Sequence, residues 1–211
     1  MARYIGPVCK ICRRERQKLF LKGQRCYSDK CPLAGEKKYS PPGGYSRGFA
    51  RKESDYAVHL REKQKAKRFY GILERQFKRY FKIAEKKKGV TGEILLSLLE
   101  RRLDNVVFTL GFANSRAEAR HLVRYSHIKV NDKKVNIPSY LVEKGDIISV
   151  KEKSRKIKLI KEAIENRTRG EIPKWVSLDA EKFSGEIIDL PSREDIQLSV
   201  EEQLIVEFYS K

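Results

Sequence analysis

Apolar residues recur at helical spacing through the middle of the chain. Leu73, Phe77, Tyr80, Phe81 and Ala84 fall at i, i+4, i+7, i+8 and i+11, which predicts a helix with one buried stripe. Its other side carries Arg75, Lys78, Arg79, Lys82 and Lys86. Upstream, Ser54 is placed to cap a helix running to about Tyr70 and stopped at Gly71. Downstream, Thr91 opens a helix holding Ile94, Leu95, Leu98 and Leu99. Ser115-Arg116-Ala117-Glu118 reads as a capping box at the head of a helix that ends near Tyr125.

The period then shortens. Ile128-Lys129-Val130, Asn131-Asp132 and Lys133 to Ile137 read as a hairpin with a tight polar turn, and Ile147-Ile148-Ser149-Val150 as a third strand behind Gly145-Asp146. Residues 155–166 return to helical spacing, with Ile157, Ile160, Ala163 and Ile164 on one face. Short strands are expected at Glu186–Ile188 and Leu204–Phe208. The first 48 residues read as loops around a short helix from Arg13 to Lys22, ended by Gly23, with Pro41-Pro42-Gly43-Gly44 as a breaker. The pattern is that of an α+β protein, with no internal repeat.

Composition sharpens this picture. The 211 residues carry a formal net charge of +19, enough to make the chain self-repelling unless an anionic partner neutralises it. Residues 1–90 hold 26 basic and 8 acidic side chains, whereas residues 161–211 hold 7 and 12. Leu, Ile, Val and Phe supply only 17 of the first 90 residues against 40 of the last 121. The N-terminal part therefore depends for its order on a metal, on nucleic acid or on packing against the rest, the alternative being an extended basic tail. No apolar run reaches the ~18 residues of a membrane span, and the N-terminus lacks the apolar core of a secretion signal. An intracellular polyanion binder is expected.

Four cysteines fall within one short stretch: Cys9 and Cys12, then Cys26 and Cys31. Two close pairs, each on a tight turn, suit a tetrahedral ion held by four thiolates, and such a filled site is structural rather than catalytic. Neighbouring Lys10, Arg13, Arg14, Arg25 and Lys30 would favour the thiolate form. Zinc is the first choice and an iron–sulfur cluster the second; two disulfides or four unrelated thiols are the alternatives, disulfides being disfavoured without a secretory signal.

Basic stripes mark the surface. Arg61, Lys65 and Arg68 share one helical face, Arg116, Arg120 and Arg124 repeat every four residues, and Lys129, Asn131, Lys133 and Lys134 follow on the hairpin. One stripe alone would read as a solvated face; three with little acidic compensation point to a phosphate backbone. Tyr4, Tyr27, Tyr39, Tyr45 and Phe49 are scattered through the basic arm, where stacking on bases competes with ordinary packing. His59, His121 and His127 lack partners at metal or triad spacing, and no nucleophile elbow, phosphate-cradling loop or HExxH motif appears. Catalysis is not expected.

The stretch Arg102-Leu103-Asp104-Asn105-Val106-Val107, with Gly111-Phe112, Ser115-Arg116, Ala119-Arg120, Leu122-Val123 and Ile128-Lys129-Val130-Asn131, resembles the αL-type RNA-binding domain named after small-subunit ribosomal protein S-four. Val135 to Tyr140 and Gly145-Asp146 fit the same pattern. Arg3-Tyr4-Ile5-Gly6-Pro7 with the cysteines, Ser54 to Ala57, Leu60 to Lys65, Glu74 to Phe77 and Glu202 to Ser210 extend the resemblance to the bacterial S-four family, in its four-cysteine zinc-binding form. Three positions depart from it: Ser126 where the family usually has Gly, Asp132 in place of the hairpin Gly, and Gly44-Tyr45-Ser46 after the Pro-Pro-Gly.

The resemblance implies a zinc-binding basic arm at 1–48, a helical domain of 49–92 plus 170–211 completed by the C-terminal tail, and an inserted αL-type RNA-binding domain with a small antiparallel sheet at 93–169. It implies a structural protein that binds the 5′ domain of 16S rRNA, nucleates assembly of the small subunit, and supports translational accuracy through contact with ribosomal protein S-five. It would lie near where messenger RNA enters, away from any membrane. Its RNA-facing residues would be Arg3, Tyr4, Arg13, Arg14, Lys22, Arg25, Arg47, Arg51, Arg61, Lys65, Arg68, Arg116, Arg120, His121, Arg124, His127, Lys129, Asn131 and Lys133. The rivals from other classes are an RNA-modifying or tRNA-charging enzyme carrying the same domain and a zinc-dependent DNA-binding regulator. The first would need a catalytic domain, which the sequence does not show.

Overall fold

The computed structural model describes residues 4–34, Pro42, 54–168 and 172–210. Within them the chain forms helices α1 (Val8–Glu15), α2 (Asp55–Phe69), α3 (Glu74–Glu85), α4 (Thr91–Glu100), α5 (Leu103–Thr109), α6 (Arg116–Arg124), α7 (Lys158–Thr168) and α8 (Glu202–Ser210). The strands are β1 (Ile128–Val130), β2 (Lys133–Lys134), β3 (Ile147–Val150), β4 (Val176–Asp179) and β5 (Ser184–Ile187). Two compact units result, one of residues 1–92 with 198–211 and one of residues 93–197. No helix among the described residues is long and apolar enough to cross a membrane.

The first unit is helical. Its first helix is not the expected Arg13–Lys22 segment. α1 begins after Pro7 and stops where Arg16 turns into the left-handed region (φ 54°). The Arg16 and Gln17 amides then bond back to the Arg13 and Cys12 carbonyls at 3.4 and 3.2 Å, a Schellman closure achieved without glycine. Cys9 and Cys12 therefore sit one turn apart on a helix, not in a tight turn, and a 3-10 turn over Gly23–Cys26 brings in the second pair. α2 follows expectation: the Ser54 hydroxyl accepts from the Ala57 amide at 3.3 Å, and Gly71 (φ 63°) closes the helix.

On α3, Phe77, Tyr80, Phe81 and Ala84 are buried as the spacing predicts, but Leu73 is the exposed capping residue and not part of the stripe. The expected strand at Leu204–Phe208 is helix α8. Its β-branched and aromatic residues suit a strand locally, yet Ile205, Phe208 and Tyr209 share a helical face. Phe208 meets Tyr56 of α2 at 5.6 Å between ring centroids, and Tyr209 meets Phe81 of α3 at 4.6 Å. Lys63, Lys67 and the Tyr209 hydroxyl converge on the Glu74 carboxylate at 2.7–2.9 Å, which ties α2, α3 and α8 together.

The second unit packs helices on an antiparallel sheet of order β2-β1-β3-β5-β4. Its core holds Leu103, Val107, Leu110 and Phe112 from α5 and its exit, Leu122 and Val123 from α6, Ile160 from α7, and Ile128, Ile148 and Ile187 from the sheet. The hairpin turn is tight despite Asp132, because Asn131 (φ 47°) and Asp132 (φ 60°) both accept the left-handed conformation that a two-residue primed turn requires. The second strand ends at Lys134, short of the expected Ile137. From Pro138 the chain bonds elsewhere: the Asp104 amide donates to the Pro138 carbonyl, the Leu103 amide to Tyr140, and the Val142 amide to Arg101. That exchange also separates α5 from α4, a break the sequence reading did not foresee.

Strand β4 was not foreseen either. β4 and β5 pair with each other, and β5 pairs with β3, so residues 172–197 belong with the sheet and not with the helices, as the expected 170–211 segment would have them. Only from Leu198 does the tail return to the first unit. Gly185 makes the helix-on-sheet contact close: a Cβ there would lie 2.9 Å from both a Leu110 methyl and the Ser177 carbonyl oxygen.

Candidate nucleic-acid interface

The motif Arg102–Asn105 proves to be internal scaffolding. Arg102 is fully buried and grips Asp104 with two hydrogen bonds of 3.1 and 2.8 Å. The same carboxylate accepts from Arg120 at 2.9 Å. Asn105 donates to Glu100 and accepts from Arg116 Nε at 2.8 Å, and the Arg116 guanidinium lies 4.5 Å from the centre of the Phe108 ring. A charge buried this deeply must be matched, and here it is.

The α6 stripe therefore divides. Arg116 and Arg120 are half-buried and turned onto Asn105 and Asp104, whereas Arg124 is exposed. His121 stacks against Tyr125 with centroids 5.8 Å apart, and His127 Nδ1 lies 2.8 Å from the Ser154 hydroxyl. The Asn131 side chain holds the hairpin to the loop beside β3, donating to Asp146 and accepting from the Ile147 amide at 2.8 and 2.9 Å. Lys133 and Lys134 are exposed. Lys129 and Lys134 face each other directly across the ladder, an arrangement of like charges that an anion relieves. Asp132, at 4.0 Å from Lys129, tempers it.

In the first unit the expected α2 stripe is matched by acids. Arg61 and Arg68 both reach one oxygen of Glu15, whose side chain is only 1% exposed, and Lys65 pairs with Glu62. These three side chains are half-buried and do not form an open row of cations. Arg14, Lys22 and Arg25 are exposed, Arg13 is half-buried, and Tyr4 is 54% exposed. Arg3, Arg47 and Arg51, with Tyr39, Tyr45 and Phe49, lie outside the described residues.

The outer side of α3 was left out of the expected contact set. Arg75, Lys78, Arg79 and Lys82 are all exposed, and Lys86, Lys87 and Lys88 continue the positive surface beyond the helix. The signal present in the sequence is their position opposite the buried stripe; in the structure Glu74 is held by Lys63 and Lys67. What distinguishes them from Arg61, Lys65 and Arg68 is that, among the described residues, none of them is in an ion pair, a property of the fold.

Cys9, Cys12, Cys26 and Cys31 are free thiols that line one cavity of about 20 Å3 together with Val8 and Leu33. Among the described residues no group of three or more His, Cys, Asp or Glu is already arranged to hold a metal ion. The expectation that nearby cations lower the thiol pKa values fails for two of them. Burial pushes the Cys12 and Cys26 thiols up, and the other cysteines add to this. Only backbone amides of Leu19 and Lys22, and Lys18 beside Cys26, act the other way. The Lys22 amide lies 3.3 Å from the Cys26 sulfur.

Comparison with known proteins agrees with this organisation. Residues 3–100 match the ribosomal protein S4/S9 N-terminal domain, and residues 101–148 match the S4 domain. The second match takes in the Arg102–Asp104 network, α6 and the hairpin. The chain is 60% identical to small ribosomal subunit protein uS4A of Symbiobacterium thermophilum over all 211 residues, covering 100% of both chains. It is 59% identical to uS4 of Halothermothrix orenii and 56% identical to uS4 of Thermus thermophilus, again with 100% of both chains covered. These relatives are ribosomal structural proteins and not enzymes, and the chain is likewise no enzyme. A matched domain in each half and relatives aligned from end to end make the chain a member of the uS4 family of small ribosomal subunit proteins.

Proposed function

We propose that the chain is a structural rRNA-binding protein of the cytoplasmic small ribosomal subunit, which binds the 5′ domain of 16S rRNA and nucleates subunit assembly. The observation that supports this most strongly is the sorting of its cations. Acids neutralise Arg61, Lys65, Arg68 and Arg120 inside the fold, while Arg75, Lys78, Arg79, Lys82, Arg124, Lys133 and Lys134 are left exposed. Exposed, acid-free cations are costly to hold together unless a polyanion covers them. The internal pairs fix the helices, and the exposed cations track phosphates, so register comes from the rigidity of the protein and the shape of the RNA.

Neighbouring small-subunit proteins, S-five among them, and messenger RNA near its point of entrance complete the proposed surroundings. Contact with S-five is the route by which this protein would influence translational accuracy. Crosslinking in cells, followed by sequencing of the attached RNA, tests the assignment. Reads dominated by the 5′ domain of small-subunit rRNA are expected; reads concentrated on tRNA or on a single messenger would contradict it.

The proposal includes one zinc ion held by Cys9, Cys12, Cys26 and Cys31, with an iron–sulfur cluster as the alternative. Support comes from four free thiols around one cavity that has room for a single small ion. Amides aimed at the Cys12 and Cys26 sulfurs are the outer hydrogen bonds that thiolate ligands use. The ion would supply the positive charge that these buried, mutually repelling sulfurs lack, and with four protein ligands its role would be structural. Native mass spectrometry reads the mass of the bound metal directly. A chelator should make residues 8–34 protease-sensitive; a metal-free protein of unchanged protease resistance and RNA affinity would contradict the zinc reading.

A further inference from the structure

The α6 helix ends in a feature that phosphate contacts do not explain. Its last carbonyls are closed by the Ser126 and His127 amides, which bond back to Val123 and Leu122 at 2.9 and 3.0 Å. Ser126 adopts φ 63° to allow this, a conformation that L side chains other than Asn and Asp rarely take. The closure leaves Tyr125 at the helix end, 67% exposed. One face of its ring rests on His121, with an interplanar angle of 14°. Two thirds of the residue stays exposed despite that contact.

A single exposed ring is ordinary at a protein surface; this one is backed by a second ring at a helix end closed by its own backbone amides. Exposed cations flank it in the chain: Arg124 precedes it, and the Lys133–Lys134 strand belongs to the hairpin that follows α6. A flat ring backed by a second ring, beside cations that hold a backbone, is the arrangement that stacks an unpaired base. His121, expected among the RNA-facing residues, serves here as the backing of that shelf.

We propose that the Tyr125–His121 stack is a base platform that receives one unpaired nucleobase of the bound rRNA. The inference rests on the rRNA-binding reading above and adds a contact of different chemistry, since stacking carries no charge. Loss of a stacked base costs roughly 5- to 150-fold in affinity, the equivalent of ~1–3 kcal/mol. It leaves the slope of log affinity against log salt unchanged, whereas loss of a phosphate contact lowers that slope by roughly 0.7–0.9.

The test measures binding of the full-length protein to a 16S 5′-domain transcript across a salt series, for wild type, Tyr125→Phe, Tyr125→Ala and Tyr125→Leu. Thermal unfolding of each variant checks that the fold is intact. The platform predicts that Ala and Leu lose roughly 5- to 150-fold at every salt concentration, with an unchanged slope, and that Phe binds like wild type. Wild-type affinity for Ala would overturn it. Equal losses for Phe and Ala would assign the contact to the hydroxyl, and a shallower slope for Ala would assign it to a phosphate; either result also overturns the platform. A wild-type protein that fails to bind the transcript would instead refute the rRNA reading on which the platform rests.

Discussion

Arg68 of α2 rests on the carboxylate of Glu15 at the end of α1, and Arg61 shares the same oxygen. The other Glu15 oxygen is buried and, among the described residues, has no hydrogen-bond partner. The two guanidinium groups thus supply the charge partners of this carboxylate inside the fold. This contact ties the cysteine-bearing helix to the helical unit, and it takes two of the most conspicuous arginines in the sequence out of the set free to meet RNA.

Replacing Arg68 by Ala should therefore destabilise the first unit by about 1–3 kcal/mol in chemical denaturation, because it weakens the pairing of a buried charge. Lys78→Gln and Lys82→Gln on the outer side of α3 should change stability by less than ~0.5 kcal/mol. Each should nevertheless lower the salt slope of RNA binding by roughly 0.7–0.9. The reverse pattern, with Arg68 affecting only RNA binding and the lysines only stability, would show that the cations are sorted differently.

The second unit has its own buried charge. Asp104→Ala would remove the carboxylate that holds the fully buried Arg102 and pairs with Arg120. A loss of about 3–5 kcal/mol is expected, a large share of the roughly 5–15 kcal/mol by which a domain is stable. Circular dichroism during a urea titration measures it. A loss below ~1 kcal/mol would mean that water reaches the guanidinium.

Ser126 offers a stabilising change. At φ 63° it bears the strain that Gly avoids. Ser126→Gly should raise stability by roughly 0.5–1 kcal/mol, the relief of strain outweighing the extra freedom glycine gives the unfolded chain. The thermal midpoint should rise accordingly. A fall would show that the serine side chain contributes a contact of its own.

Acid stability depends on Glu74. Burial opposes its charge, but hydrogen bonds from Lys63, Tyr209 and Lys67 outweigh it and hold the carboxyl at about 2, against an ordinary 4.5. A carboxyl lowered by folding stabilises the folded state above its unfolded value, and that stabilisation is lost as pH falls from 4.5 towards 2. With the side chain 44% exposed, solvent screening reduces the effect to about 1–2 kcal/mol. Glu74→Gln should flatten the stability profile in that window and leave its shape near neutrality unchanged. An acid limb identical to wild type would place the titration elsewhere.

Much of this architecture is legible in the residues. Ser54 and Ser115 cap their helices through their hydroxyls, Phe77, Phe81 and Ala84 face inward, and Asn131-Asp132 turns the hairpin. Two of the differences share a cause, in that partners distant in sequence decided them. Leu204–Phe208 has strand-like composition, but Tyr56, Phe77 and Phe81 draw it into a helix. Val135–Ile137 would extend the hairpin, but the next residues bond to Arg101, Leu103 and Asp104. Spacing put Arg61, Lys65 and Arg68 on one face correctly; Glu15, 46 residues from Arg61, could not be placed beside them by periodicity.

Salt dependence tests the central claim most directly. If rRNA is bound through cations that the fold leaves without acid partners, affinity for a 16S 5′-domain transcript must fall steeply with added salt. For ~8 neutralised phosphates the slope of log affinity against log salt should be near −7. A slope near zero, or equal affinity for duplex DNA, would contradict the account.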